Sequence, residues 1–360
     1  MSKILISGYY GFANAGDEAM LTAIVCGLKA AQKDVEITVL SGRPAITATK
    51  HKVNAINRFA PVAFLRALWH TDLLLSGGGS LLQDVTSSRS LFYYLSILFL
   101  GKLLGKKVML FAQGIGPINS PLARKLTRFI CKDLALITVR DDGSLEELKN
   151  MGFQDNEVLV TSDAVFSLPE ANRELGQKIL LQKKLGAKPL LGFALRHWQG
   201  EERFSKEFAK AADALQSKYE AQIVFIPLQF PVDLEFAKQV RAQMRNASEV
   251  SILEGDFTTE EYLAIISNLR MLIGMRLHAL VFAALCNVPF LAISYDPKVD
   301  RFVHGMGGEV LDTISQVTSS EMVEGVAKVW ERENNPMTEK ILLLRREAKR
   351  NINRAIALLD

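Results

Sequence analysis

The densest chemistry in the chain lies at Met275-Arg276-Leu277-His278-Ala279-Leu280, directly after the apolar run 271–274. That run reads as a strand and the next residues as the start of a helix. Arg276 and His278 then stand at the positive end of the helix dipole. A guanidinium, free backbone N–H groups and the dipole together attract an anion. A histidine that titrates near neutrality can carry a proton there. A lone histidine is more often satisfied by packing, but the Arg-x-His spacing at a helix start favours function. Other cations follow other strand-like runs. Residues 190–195 lead into Arg196-His197-Trp198, and residues 290–293 lead into Ser294-Tyr295-Asp296-Pro297-Lys298. Lys298 either joins the anion site or is a solvated turn residue. Arg140-Asp141 follows the run 134–139, so Arg140 either pairs with a neighbouring acid or reaches into a cleft.

Glycine turns follow the runs of the first half. After residues 3–7 comes Gly8-Tyr9-Tyr10-Gly11-Phe12-Ala13-Asn14-Ala15-Gly16-Asp17-Glu18. The dinucleotide fingerprint GxGxxG fails here because Tyr10 stands where its second glycine belongs. The P-loop spacing fits Gly11 and Gly16, but Asp17-Glu18 replaces the lysine and hydroxyl that hold phosphate. Carboxylates oppose phosphate and accept hydrogen bonds from hydroxyls, or they merely complement the helix dipole. After residues 72–76 comes Gly77-Gly78-Gly79-Ser80-Leu81-Leu82-Gln83-Asp84, and after 108–112 comes Gln113-Gly114-Ile115-Gly116-Pro117. In open α/β sheets ligands sit beyond the carboxyl ends of the strands. Three such turns on one rim predict a polar, sugar-sized site built from Asn14, Asp17, Glu18, Gly78, Gly79, Ser80 and Gln113.

Several chemistries lack their signals. There is no DxD, HExxH, GxSxG or CxxC, so a zinc hydrolase, a serine-hydrolase elbow and a metal-dependent sugar-nucleotide site are not indicated, and no metal is expected. The three cysteines, Cys26, Cys131 and Cys286, are far apart, as in a reducing cytosol. The net charge of +4 is spread among interleaved acids, which argues against nucleic acid and leaves room for an anionic substrate or membrane face. The chain opens on a strand-like run and not a signal peptide, and residues 91–101 are too short an apolar run to span a bilayer. The segment 91–104, with Lys102, Lys106 and Lys107, is either a buried helix or one lying on a membrane.

These residues need elements that bring strand ends together. Apolar runs at 3–7, 35–40, 72–76, 108–112 and 134–139 alternate with helical stretches near 17–31, 89–105, 121–133 and 142–151, the βαβ signature. A second series begins at 190–195 and continues through 222–226, 250–253, 271–274 and 290–293. For 360 residues this predicts an α/β protein of two Rossmann-like domains with mainly parallel sheets facing a central cleft. The expected domains are 1–170 and 171–336, with a helix in 337–360 that could cross back to the first.

The ordered set GYYGFANAGDEA (8–19), GGGSLLQD (77–84), QGIGP (113–117), VRDDGS (139–144), ALRHW (194–198), GMRLHALVFA (274–283) and ISYDPKV (293–299) resembles the polysaccharide pyruvyltransferase family. The nearest branch is the one acting on bacterial secondary cell-wall polymers. The resemblance implies a GT-B-like fold, phosphoenolpyruvate as donor and co-substrate with no cofactor, and a lipid-linked saccharide bearing N-acetylmannosamine as acceptor. It implies a donor-binding set of Arg276, His278 and Lys298 joined by Arg140 across the cleft, with Arg196 assisting. The protein is expected in the cytoplasm, either free there or peripheral at the inner face of the plasma membrane. Two rivals on the same architecture are a metal-independent nucleotide-sugar glycosyltransferase and a sugar-binding protein without activity.

Overall fold

The computed structural model describes residues 1–85, 87–198, 201–311, 316–331 and 337–359. The chain divides into two compact units, Met1–Leu168 with Leu342–Asp360, and Pro169–Ile341. The expected 336/337 junction falls beside residues 332–336, outside the described residues.

In the first unit the elements run β1 (Lys3–Tyr10), α1 (Ala15–Ala31), β2 (Glu36–Ser41), α2 (Pro44–His51), β3 (Asn54–Asn57), α3 (Pro61–Trp69), β4 (Leu73–Gly77), α4 (Ser88–Leu103), β5 (Lys107–Gln113), α5 (Pro121–Cys131), β6 (Leu136–Val139), α6 (Asp142–Lys149) and β7 (Leu159–Val160). The sheet is parallel throughout, in the order β3-β2-β1-β4-β5-β6-β7. Helices cover both faces, which is why the central strands read as unbroken apolar runs. Ile4, Leu5, Ile6, Leu73, Leu74 and Leu75 are all buried. Helices α3, α4 and α5 pack on one face, where Phe64, Leu68, Leu91, Leu98, Ala123 and Ile130 share one core.

The second unit contains α7 (Arg173–Gln182), β8 (Leu190–Ala194), α8 (Glu201–Tyr219), β9 (Gln222–Phe225), α9 (Val232–Ala242), β10 (Ser251–Ile252), α10 (Thr259–Ile266), β11 (Met271–Gly274), α11 (Leu277–Leu285), β12 (Phe290–Ile293), α12 (Pro297–Met306), β13 (Glu309–Leu311) and α13 (Ser319–Trp330). Its order, β10-β9-β8-β11-β12-β13, repeats the arrangement of the first sheet. In each unit the strand order reverses between two central strands, β1 and β4 in one, β8 and β11 in the other. That reversal opens a crevice at their carboxyl ends.

The last helix, α14 (Thr338–Ala357), starts in the second unit and enters the first at Leu342. Ser162 Oγ donates to Leu344 O at 2.6 Å and Arg345 Nη1 to Leu168 O at 2.7 Å. A Cβ on Gly27 of α1 would stand 2.7 Å from the Ile352 side chain, so the two helices meet where α1 has no side chain.

The expected runs do not include β3, β7 or β13, and β1 is longer than expected. β1 runs on through Gly8-Tyr9-Tyr10 and not only to Ser7, after a register irregularity that restores pairing at Tyr10↔Ser41. The Tyr10 hydroxyl donates to Gly77 O at the tip of β4 and fixes this extension. β3 is a short edge strand with polar ends, so it carries no apolar run to detect.

Candidate active site

The first rim is made by the ends of β1, β4, β5 and β6. Gly78 and Gly79 both have positive φ, +65° and +76°, which only glycine adopts without strain. Gln113 is fully buried and holds this turn: its Nε2 donates to Gly78 O at 3.2 Å and to Gly79 O, while its Oε1 accepts from Ser76 Oγ at 3.0 Å. Its amide is therefore spent on the turn and does not face an acceptor, contrary to expectation.

Glu18 departs from expectation in the same way. One oxygen accepts from Gly11 N at 2.8 Å and the other lies 2.7 Å from His51 Nε2, within a buried pair. Burial pushes this carboxyl up, but the His51 and Gly11 hydrogen bonds outweigh it and hold the group below its ordinary value. Glu18 pins the first glycine turn instead of meeting hydroxyls. Asn14 caps α1, its Oδ1 accepting from Gly16 N at 3.0 Å.

Arg140 resolves its two alternatives in favour of an ion pair. Its side chain is only 6% exposed, Nη1 donates to Asp163 at 3.0 Å, Nη2 donates to Ser80 Oγ at 3.0 Å, and Nε lies 3.5 Å from Asp141. A Cβ on Gly114 would come within 3.0 Å of that guanidinium and 2.8 Å of Ser80 Oγ, which explains the glycine. Arg140 thus braces three strand ends of its own unit.

The same rim also carries Asp17 and an aromatic pair. The Asp17 carboxylate lies beside the Gly79 turn. Burial and then the Asp17 charge push the Tyr9 phenol above its ordinary value. Tyr9 stacks on Phe12 at 4.3 Å. Beneath them Arg58, which the sequence did not single out, is buried among Phe12, Phe59, Tyr93 and Tyr94 and donates to Gly8 O at 3.3 Å.

The second rim gathers the ends of β8, β11 and β12, adjacent in the sheet. Arg276 is the N-cap residue of α11 and makes no capping bond with its side chain. Its Nε donates to Asp233 Oδ2 at 2.8 Å and its Nη2 to Oδ1, a two-pronged pair with a wholly buried carboxylate. Asp233 also accepts from Leu228 N at 3.2 Å and Gln229 N at 3.0 Å, so it is anchored on both sides. His278 is half-buried on the first turn of α11. Lys298 opens α12 and pairs with Asp296 at 3.0 Å.

Arg196 differs from the other cations. Its guanidinium lies 4.5 Å from the Tyr295 ring centroid and 5.4 Å from that of Trp198, and the two rings are 5.0 Å apart. Its Nε is buried without a hydrogen-bond partner among the described residues. Arg196 follows β8 and Tyr295 follows β12, so their contact spans the carboxyl end of β11, the strand between them, after which Arg276 and His278 come in sequence. Among the described residues no three His, Cys, Asp or Glu side chains come together as metal ligands.

The family model for polysaccharide pyruvyl transferase matches residues 14–297, taking in most of both rims. The chain belongs to that family. Its activity is therefore transfer of pyruvyl groups to polysaccharide, in general terms. No curated protein matches the chain in sequence. Among solved structures it is similar to UDP-GlcNAc 2-epimerase from Methanocaldococcus jannaschii, at 13% identity over 99% of each chain with a TM-score of 0.71. It is also similar to Anabaena HepE in complex with UDP-glucose, at 13% identity over 99% of this chain and 97% of that one, TM-score 0.61. ADP-heptose heptosyltransferase II of E. coli matches at 15% identity over 92% and 98%, TM-score 0.54. At these identities the likeness shows the fold, a GT-B-like pair of Rossmann-like domains.

Proposed function

We propose that this pyruvyl transferase takes its donor, phosphoenolpyruvate, at the strand ends of the second unit and places the pyruvyl carbon on two hydroxyls of one sugar. The observation that carries this reading is Arg196, a cation set against the rings of Tyr295 and Trp198 with its Nε buried and without a hydrogen-bond partner among the described residues, at the end of β8 next to the strand that leads into α11. Phosphoenolpyruvate brings a carboxylate and a phosphate, which need several fixed positive groups in a small volume. Arg196, Lys298, the remaining edge of Arg276 and the first N–H groups of α11 supply them.

The chemistry balances as follows. A proton from His278 goes to the methylene carbon of the enol, making it a methyl group and leaving cationic character on the central carbon. The first sugar hydroxyl adds to that carbon and gives up its proton. The bond from the central carbon to the phosphate oxygen breaks, and the electron pair leaves with phosphate. The second hydroxyl then closes the ketal. Two hydroxyl protons are released and one is consumed at carbon, so the other leaves on phosphate. Fixed cations stabilise the departing phosphate without reorganising. On the first rim Asp17 is the carboxylate that accepts from the acceptor hydroxyls, and the Tyr9–Phe12 stack offers a face for the sugar ring. The acceptor we infer is N-acetylmannosamine on a lipid-linked cell-wall precursor, as the motifs resemble that branch.

Titration calorimetry with phosphoenolpyruvate, beside UDP and UDP-glucose in metal-free buffer, tests the donor. Phosphoenolpyruvate binding that weakens roughly ten- to hundredfold in Arg196→Ala, with both nucleotides silent, is expected. Binding of UDP alone would favour a nucleotide-sugar glycosyltransferase, the reading suggested by the likeness to a chain solved with UDP-glucose. Absence of phosphate release with donor and acceptor together would favour a sugar-binding protein.

A further inference from the structure

The outer face of the α3–α4–α5 layer is unlike the rest of the surface. Along α3 the exposed side chains include Val62, Leu65 and Trp69, with Phe59 just before the helix. Along α4 they include Phe92, Phe99 and Leu103, while Leu91, Tyr94, Leu95 and Leu98 turn inward to the core. Along α5 the exposed row is Leu122, Lys125, Phe129 and Lys132, apolar and cationic in alternation at helical spacing. The three helices are tied into one face at their carboxyl ends. Lys106 Nζ donates to Trp69 O at 2.6 Å, and Lys102 Nζ donates to Ile130 O at 3.2 Å and to Phe129 O at 3.4 Å. By contrast residues 169–341 expose only Leu181 and Val232 as large apolar side chains, among the described residues.

Charge marks the same stretch. Residues 58–132 carry ten lysines and arginines against two aspartates, while the whole chain nets only +4, so the rest of the molecule is acidic on balance. Neither aspartate lies on α3, α4 or α5. Asp84 is tied to the backbone of Asn119 and Ser120, and Asp72 accepts from Lys3 N. A hollow of about 630 Å³ opens beside Phe129, with Lys125, Arg128 and Lys132 on its walls.

We propose that this face docks on an anionic phospholipid bilayer, with Trp69, Phe99, Leu103 and Phe129 entering the headgroup region and Lys125 and Lys132 meeting lipid phosphates. Large rings and aliphatic tips interleaved with cations suit an interfacial surface. No acid lies on α3, α4 or α5. The nearest acids are Glu147 and Glu157, which pair with Arg124 and Arg128, and Asp133 just past α5. No helix of the described chain is long and apolar enough to cross a membrane, so the contact is peripheral. A second copy of the chain is a poorer occupant. A two-fold contact would set this face against itself and bring like charges together. The proposal rests on this face and not on the donor reading.

Flotation with vesicles of phosphatidylcholine, with and without a third of phosphatidylglycerol, tests it on the full chain. Wild type is expected to float with the anionic vesicles, less so at high salt, and to stay below with neutral ones. Lys125→Gln with Lys132→Gln should weaken that binding roughly thirtyfold. Trp69→Ser with Phe129→Ser should abolish it, with an unchanged circular dichroism spectrum and a cooperative unfolding transition as the check on folding. Brominated lipid should quench the emission of wild type but not of Trp69→Phe, which keeps an apolar side chain there. Flotation indifferent to anionic lipid or to both double variants would overturn the proposal. So would sedimentation showing a dimer that Trp69→Ser with Phe129→Ser dissolves.

Discussion

The two rims share one strand order and spend their polar residues differently. In the first unit the side chains at the strand ends are used up on one another. Gln113 holds the Gly78–Gly79 turn, Glu18 holds Gly11, and Arg140 is locked between Asp163 and Ser80. In the second unit Arg276 and Lys298 have acids beside them, whereas Arg196 rests on the rings of Trp198 and Tyr295, its Nε without a hydrogen-bond partner among the described residues. A neutral sugar is recognised by shape and by a few hydrogen bonds, so rigid turns serve it. An anion needs charge that the protein has not already neutralised. The contrast assigns shape to one unit and charge to the other.

Arg140→Ala gives the largest expected effect and could break that contrast outright. Removing one partner of a buried pair strands Asp163, 7% exposed, without its cation, and should cost about 3–5 kcal/mol of stability in denaturant titration. If the variant instead kept its stability and lost phosphoenolpyruvate binding, Arg140 would be a ligand group and the first rim would not be self-contained.

Arg196→Ala sharpens the other side. A charge-assisted contact to a bound anion contributes about 1.5–3 kcal/mol, so donor affinity should fall roughly ten- to hundredfold. Stability should hardly move, because no ion pair of Arg196 is present among the described residues to be broken. Arg276→Ala ought to do both kinds of damage, since Asp233 is wholly buried beneath it. Comparing the two variants by calorimetry and by unfolding separates an arginine that binds from one that also braces.

That separation was not readable from the sequence, although much else was. Buried parallel strands advertise themselves as apolar runs, and the motifs at their ends named most of the rim residues. What stayed hidden was which polar groups had already found partners. Asp233 lies 43 residues before Arg276, in the first turn of α9, where an acid reads as a helix-dipole residue. Asp163 sits in a stretch with no helical or strand period, and His51 closes a short helix far from Glu18. Tyr295 stood inside a quoted motif, but its approach to Arg196 depends on β12 lying next to β11, a fact of topology. Arg58 follows a short, polar-ended edge strand and gave no signal, because the cage around it draws on rings from two separate loops and one distant helix, α4.

A smaller effect tests whether the first rim is built for shape at all its corners. Asn14→Ala removes the cap of α1 and should cost about 1 kcal/mol, read as a lower denaturant midpoint. Phosphoenolpyruvate affinity should stay the same. A loss of donor affinity would place Asn14 at the anion and blur the contrast between the units.

The subtlest prediction concerns slope. Glu18 has its carboxyl held below the ordinary value by His51 and the Gly11 N–H despite burial. Below that ordinary value the unfolded chain therefore takes up the proton first, and folding loses a contribution that is fully present at higher pH. The loss is completed as pH falls through the depressed folded value. Glu18→Gln keeps the shape: its carbonyl can accept from Gly11 N and its amide can donate to a neutral His51. What it removes is the charge, and with it this share of the acid limb. Other depressed carboxyls, Asp84 and Glu207 among them, contribute equally to both proteins and cancel in the difference. The stability gap between wild type and Glu18→Gln should thus be constant above the carboxylate range and narrow as pH falls below it. A gap that stayed flat into acid would mean that the Gly11 turn is held by geometry alone, with the charge of Glu18 adding nothing.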